Sequence, residues 1–577
     1  MVNETKVDPF TLEIVKDSLL ATGDEMFIAL AKTSMSPIIY EVLDYASGLT
    51  DAKGQLLTQG NGVTGFIGML SYMVKQTVKK YGDKNELKPG DIIIVNDPYG
   101  GGGSHLSDVG LVMPIFYEGE LIAFSANKAH WTEVGGKDPG SFTNDSRDIF
   151  QEGLQFPSIK LYDGGILNEG IVEVIRANVR FPDLSLGDMW AQVAALKTGE
   201  RRVKEICEKY GKNLMLSAIK NQLDHGETIS RQELKKLPKG TFSAEGFVET
   251  DGIGNGPFPI KVEVTISDDE FICDFRGSSP QVPGSVNCSF TGLASAVRTI
   301  FLAITNPDQN VNDGVFRPLE IIVDERSIMS AERPAPTSNY FETMLGCADL
   351  IWKALAPHIP HRLAAAHLLS VCSVTLSGNH QDTNEPFLIV EPSVGGWGGA
   401  VGQDGASGQF CILDGETYNV PVEVAETRYG VMLDEYSLRI DGTGAGEYIG
   451  GKGVIRSYRA MSDGQAATVT FGRNQYRLWG TDGGLEGSVN EFNINKANGE
   501  VDGPFGVYPR YALQTNDVLQ LMTATGGGYG DPLKRPAEQV ARDVKNEYYT
   551  TEEAETLFGV KVDPLTFNYE ELDIRKD

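Results

Sequence analysis

The sequence predicts an α+β protein of several domains, with helical and sheet regions segregated along the chain. Three observations carry that expectation. A chain of 577 residues is too long for one hydrophobic core and is expected to form about two to four domains. Apolar residues recur at helical spacing near the N-terminus, as in Leu12, Val15 and Leu19. From about residue 385 onward glycine and β-forming residues dominate, so strand and loop replace helix. The regions expected are 1–230, a largely helical N-terminal part; 231–385, a middle α+β part; and 386–577, a glycine-rich, mostly β C-terminal part.

Asp8-Pro9 opens the first helix, a cap followed by proline in the first turn, and Ile14 and Leu20 widen its apolar face. That helix ends before Pro37. "GLTDAKGQLLTQG", 48–60, reads as a hairpin whose turn holds Lys53-Gly54. Residues 66–81 read as helix and 91–95 as a short buried strand. "DMWAQVAALKTGERRVKEICEKYG", 188–211, is an amphipathic helix ending at glycine. The polar, basic stretch 225–241 suits a domain boundary. Strands follow in "TFSAEGFVET", "IKVEVTIS" and "EFICDF", then helices over 289–304 and 341–357.

Composition excludes several classes of function. A net charge of −29 argues against nucleic acid or an anionic membrane as partner, since both require a basic surface. It suits a protein partner with a basic patch. No segment has the length and hydropathy of a membrane span, and "MVNETKVDPFTLEIVKDSLL" lacks the pattern of a signal peptide. Cysteines 207, 273, 288, 347, 372 and 411 lie far apart with no CxxC pair. A reduced, cytoplasmic chain with structural cysteines is the expectation.

The chemistry concentrates in "IIIVNDPYGGGGSHLSDVGLVMPIF", 92–116. Four glycines precede His105, and Asp108 follows three residues later. "VGLVMPIF" and "ELIAFSAN" flank a hairpin turn at Glu118-Gly119. If Tyr117 faces Glu120, Asp108 faces Ala129 and Ser107 faces His130, unless a bulge shifts the register, which Pro114 favours. His105, Asp108 and His130 therefore meet at one end of the ribbon. Two imidazoles and a carboxylate suit zinc first, with manganese and iron open. Such a cation lowers the pKa of bound water and generates a nucleophile. The glycines let the backbone fold closely around the ligands.

Other candidates carry less. Asp51 and Asp97 read as turn residues, whereas Glu41 and Asp44 flank Val42-Leu43, where burial is expected. Glu133, in "AHWTEVGG", is the candidate catalytic base or partner of the ligands, against the plainer reading of a solvated loop glutamate. His358, His361 and His367 suit capping or packing; His225 and His380 suit solvent. The glycine runs 391–410 and 523–532 lack the lysine and Ser/Thr of a phosphate loop, and no strand–GxGxxG–helix or Gly-x-Ser-x-Gly elbow occurs. A tight glycine turn against Trp397 is expected instead.

"NDPYGGGGSHLSD", "AHWTEVGG", "QEGLQFPSIKLYDGG", "GGWGGAVGQDGASG" with "VPVEVAETRYGV", and "TGGGYGDP" occur in an order that resembles the hydantoinase B/oxoprolinase family over nearly the whole chain. The resemblance implies one subunit of an ATP-dependent hydantoinase or caprolactamase type enzyme, with relatives in 5-oxoprolinase and in acetone and acetophenone carboxylases. It implies a hydantoinase A-type, actin-like partner that binds ATP and magnesium; two copies of each subunit are the expectation from the usual symmetry of oligomers. It also implies a metal at His105, Asp108 and His130, with Asp44 as fourth ligand. Two departures stand out: Ser107 replaces the usual proline of "HLPD", and Trp131 replaces the usual second histidine, which bears on the surroundings of the ligands. The activity implied is hydrolysis of a cyclic amide (a lactam, hydantoin or 5-oxoproline) activated by phosphorylation in the partner. Alternatives are a subunit of an acetone or acetophenone type carboxylase and a non-catalytic scaffold for the ATPase.

Overall fold

Asp8 starts the first helix by accepting the backbone N–H of Phe10 and Thr11 at 3.4 and 3.2 Å. The structure, a computed structural model, describes residues 8–575 apart from 61, 83, 309 and 443. The chain divides into two compact units whose segments interleave. The first comprises residues up to Thr241, Pro259–Ala348 and Leu413–Val420; the second comprises Phe242–Phe258, Asp349–Ile412 and residues from Pro421.

In the first unit, helix α1 (Pro9–Thr33) precedes the single turn α2 (Pro37–Tyr40). Strands β1 (Tyr45–Asp51) and β2 (Leu56–Gln59) form the expected hairpin, whose turn is tied by Asp51 accepting from the N–H of Lys53 and Gln55. The helix expected over 66–81 is shorter. It is regular as α3 only over Met69–Thr77, after which the turns widen over Val78–Gly82. Strands β3 (Ile92–Val95), β4 (Asp108–Tyr117), β5 (Glu120–His130), β6 (Ile159–Asp163) and β7 (Ile166–Leu167) complete an antiparallel sheet. Its order is β2-β1-β5-β4-β3-β6-β7.

Helices α4 (Glu169–Asn178), α5 (Pro182–Tyr210) and α6 (Lys212–Leu234) follow. The predicted helix 188–211 thus begins earlier, at Pro182, whose ring suits a first helical turn. The stretch 225–241 is helical as far as Leu234. Val15, Leu19 and Met26 of α1 and Met189, Val193 and Leu196 of α5 share one buried cluster with Val109, Leu111 and Met113 of β4. Burying each such side chain contributes about 1.5–3 kcal/mol, and that cluster makes the β4–β5 ribbon a rigid support.

The chain crosses to the second unit within β8 (Gly240–Val248) and returns at β9 (Phe258–Ile266). Strands β9, β10 (Phe271–Asp274) and β11 (Leu319–Ile322) pair in the first unit, antiparallel and then parallel. Helix α7 (Phe290–Thr305) follows β10, and α8 (Tyr340–Leu355) begins in the same unit.

Among the described residues, the second unit holds a small antiparallel pair of Val560–Val562 with Tyr569–Glu571 and two larger antiparallel sheets. One orders β13 (Pro386–Glu391), β12 (Ser373–Asn379), β16 (Gln465–Thr470) and β19 (Val507–Leu513). The other orders β14 (Val431–Leu438), β15 (Val454–Ala460), β20 (Val518–Met522), β17 (Glu491–Asn495) and β18 (Val501–Phe505). The glycine runs do not form one tight turn. They lie side by side, with Gly451 N–H donating to Trp397 C=O at 2.8 Å and Gly526 N–H to Gly451 C=O at 2.9 Å. A Cβ at Gly396 would stand 2.0 Å from the Gly451 carbonyl oxygen, so only glycine permits that approach. Among the described residues, no helix is long and apolar enough to cross a membrane.

Candidate metal centre

The β4–β5 hairpin turns at Glu118-Gly119 as expected, with Tyr117 opposite Glu120. The register then slips by one between Ile115 and Phe116, so Asp108 faces His130 directly, where the unbulged sequence pattern had placed Ala129. Pro114 is accommodated without a bulge of its own, because β3 pairs with β4 only as far as Val112. Ahead of β4 the glycine loop packs on the strand it leaves. Gly102 has φ +78°, and a Cβ at Gly103 would stand 2.7 Å from the carbonyl oxygens of Asn96 and Asp97. That tight path brings His105 back beside Asp108.

One ligand atom from each of His105, Asp108 and His130 lies within 4.8 Å of the others, and all three residues are buried. His105 Nε2 lies 3.3 Å from Asp108 Oδ1. His105 Nδ1 lies 3.0 Å from the Ser338 carbonyl oxygen. A carbonyl can only accept, so Nδ1 carries a proton, and in the neutral ring Nε2 keeps its lone pair. The second oxygen of Asp108 is already taken. It accepts from Ser104 Oγ–H and, at 3.3 Å, from Tyr340 O–H, while Lys128 Nζ stands 3.6 Å away. Lys128 also donates to Ser104 Oγ and lies 4.9 Å from the centre of the Phe66 ring. His130 stacks on Phe142 at 5.3 Å, yet neither of its buried ring nitrogens has a hydrogen-bond partner.

The electrostatics match a cation's needs. Burial, then the neighbouring His105, push the His130 imidazolium down to about 3, so the ring is neutral at pH 7. Burial alone would raise Asp108, but His105 and Lys128 outweigh it and hold the carboxyl below its usual range. Burial lowers Lys128, partly offset by Asp108. An ionised carboxylate beside a neutral imidazole with two idle buried nitrogens is a donor set that fits a divalent cation, and buried polar atoms without partners are otherwise costly.

The family model described as hydantoinase B/oxoprolinase matches residues 8–532. The chain belongs to the hydantoinase B/oxoprolinase family. It is 34% identical to a protein assigned as the B-type component of a D-/L-hydantoinase from Pseudomonas sp. (strain NS671), over 99% of this chain and 97% of the relative. It is 29% identical to the β component of caprolactamase from Pseudomonas jessenii, over 96% and 97%. Its fold matches the crystal structure of ATP-dependent caprolactamase from that organism with a TM-score of 0.89 at 28% identity, covering 99% of this chain and 98% of the other. The fold also matches nucleotide-free acetone carboxylase, TM-score 0.91 at 19% identity, over 98% and 82%.

Asp44 is not within the mutual 4.8 Å of the three ligand atoms, although its carbonyl accepts the His130 N–H at 3.0 Å. Burial, then Asp108 and Asp414, push the Asp44 carboxyl well up. Glu133 is not a solvated loop residue. It is fully buried and accepts from the backbone N–H of Arg180 and, at 2.8 Å, from its guanidinium. Trp131 does not adjoin the ligands. Just past the end of β5, its indole N–H donates to Gln192 Oε1 at 2.8 Å and its ring lies near Phe156. Glu41 ends the turn α2, and Asp97 accepts the N–H of Tyr99 and pairs with Arg333. His367 packs between Trp352 and Trp397, and His358 against Phe242; His225 is exposed. Sequence reasoning missed Lys128, Ser104 and Tyr340. Lys128 was accessible to it, since it lies two residues before His130 and shares its face of β5.

Proposed function

We propose that this chain is the metal-binding, ring-opening subunit of an ATP-dependent cyclic-amide hydrolase. Its substrate would be a lactam, hydantoin or 5-oxoproline type ring, and its partner a hydantoinase A-type, actin-like subunit that binds ATP and magnesium. The observation that carries this reading is the buried triad of His105, Asp108 and His130, with both His130 nitrogens idle. It is supported by end-to-end similarity to the caprolactamase β component and to the hydantoinase relative.

An amide resists attack because resonance stabilises it. Phosphorylation of the amide oxygen by ATP in the partner would create an electrophilic imidate phosphate. Water adds to its carbon, the ring C–N bond breaks as the nitrogen takes a proton and leaves as the amine, and a second water hydrolyses the acyl phosphate that remains to carboxylate and phosphate. In this chain His105 Nε2, Asp108 Oδ1 and His130 would hold the cation, with Asp44 as the further ligand. Zinc, manganese or iron bound there supplies Lewis acidity toward a carbonyl or water oxygen. Ser104, Lys128 and Tyr340 occupy the other oxygen of Asp108, which leaves a single oxygen free to ligate. Phe142 stacks on His130 and Phe66 lies against Lys128, so aromatic rings flank the donor set. Both Glu133 oxygens are engaged by Arg180, which favours a role in holding the 133–138 loop; action as a base would require that pair to open.

The test is to copurify the chain with its ATPase partner and screen lactams, hydantoins and 5-oxoproline for ATP hydrolysis coupled to ring opening. Coupled turnover of one ring class supports the reading. ATP-dependent fixation of bicarbonate onto a ketone, without ring opening, replaces it.

A further inference from the structure

The motif "QEGLQF", residues 151–156, has no part in the chemistry proposed above, yet it is bound on both sides to the loop that carries His105. On one side stands Asn96. Its amide donates to the carbonyls of Leu106 and Leu154, at 2.8 and 2.9 Å, and its oxygen accepts the Phe156 N–H at 2.6 Å. The residue next to His105 is thereby tied to the strip. On the other side stands Glu152, 1% exposed. Its Oε1 accepts the N–H of Thr337 and of Ser338, each at 3.0 Å, and the hydroxyl of Ser146 at 2.7 Å. Its Oε2 accepts the Thr337 N–H at 3.1 Å.

The peptide that Glu152 holds ends in the Ser338 carbonyl, which accepts from His105 Nδ1. Ser338 is also held from its side chain, whose oxygen accepts the Thr143 N–H at 2.9 Å. Further ties fasten the same stretch: Ile149 N–H donates to the Pro334 carbonyl at 3.0 Å, and Tyr99 O–H to that of Ala335. A buried carboxylate that accepts backbone N–H groups from a segment 185 residues away is costly unless fully satisfied. Its satisfied state defines where one carbonyl points.

We infer that Glu152 is a positioning residue for the metal centre: through Ser338 it fixes the orientation and tautomer of His105, so that Nε2 faces the cation. The inference rests on the reading of His105, Asp108 and His130 as ligands. Partners of this kind on a ligating imidazole govern affinity by about 10–100-fold.

The experiment compares the full-length wild-type chain with E152A, E152Q and E152D. Zinc affinity is read by competition with a chromophoric chelator, and ligand geometry by the visible bands of the cobalt(II)-loaded chain. E152A is expected to lose about 10–100-fold in zinc affinity and to shift the cobalt bands. E152Q keeps an oxygen in the position of Oε1 and is expected to retain both wild-type values, which separates positioning from charge. If E152A does not fold, E152D carries the test, since it keeps the carboxylate but withdraws it by one methylene; it is expected to behave as E152A. Wild-type affinity and an unshifted cobalt spectrum in a folded E152A or E152D chain overturn the inference. A wild-type chain that binds neither metal overturns the ligand reading itself, and the inference with it.

Discussion

Lys128→Met removes the ammonium that faces Asp108 inside the fold. Lys128 is 0% and Asp108 1% exposed, and Nζ stands 3.6 Å from Oδ2. Removing one partner of a buried ion pair costs about 3–5 kcal/mol, because the remaining charge is left uncompensated. The low end applies here. Lys128 is itself heavily desolvated, and a methionine fits beside Met69 and Phe66. The metal-stripped variant should therefore be about 3 kcal/mol less stable than the stripped wild type. A bound divalent cation also compensates Asp108, so saturating zinc should narrow that gap. At about 100 times its dissociation constant, zinc stabilises a binding-competent chain by about 2.7 kcal/mol, and the variant should gain more than the wild type does. Urea unfolding in chelator and in excess zinc, followed by tryptophan fluorescence, reads both quantities. An equal gap with and without zinc would refute the idea that Lys128 and the cation share Asp108 as their counter-ion.

Three further outcomes are expected. His105→Ala and His130→Ala should each lose bound metal and ring opening together, while ATP hydrolysis by the partner alone persists; full turnover by a metal-free His130→Ala complex would defeat the assignment of ligands. Trp131→Phe should cost about 1–3 kcal/mol by leaving Gln192 Oε1 without its donor, yet leave zinc affinity unchanged, because the indole meets Gln192 and Phe156 and not the ligand side chains. Asp188 accepts the N–H of Met35 and Ser36 through Oδ1, while Oδ2 has no partner, and burial pushes its carboxyl up to about 6. A raised carboxyl favours the folded state when neutral, so its contribution is full below the unfolded value near 4 and is lost as pH rises toward 6. Asp188→Asn should remove that loss, stabilising the chain above pH 6 by up to about 3 kcal/mol; a pH–stability slope identical to wild type would count against it.

The ribbon carrying the centre was legible because its signals are local. Alternating apolar residues and the Glu118-Gly119 turn fix a hairpin from neighbouring residues alone. Its one-residue slip at Ile115 was not legible as to place, since it depends on how β5 packs against helix and sheet together. Ser338 and Tyr340 reach His105 and Asp108 across 233 and 232 residues, and no periodicity announces such pairs. Glu133 read as solvated because polar loop residues usually are; its burial depends on Arg180, 47 residues on. The glycine runs read as tight turns, and nothing in them announced that their backbones lie against one another.

The most direct measurement is elemental analysis of the chain purified with its partner, after dialysis against metal-free buffer. One tightly held divalent cation per chain in the wild type, and none in the His130→Ala complex, is the result expected if His105, Asp108 and His130 form the centre. A fully active wild-type complex without stoichiometric metal would contradict it.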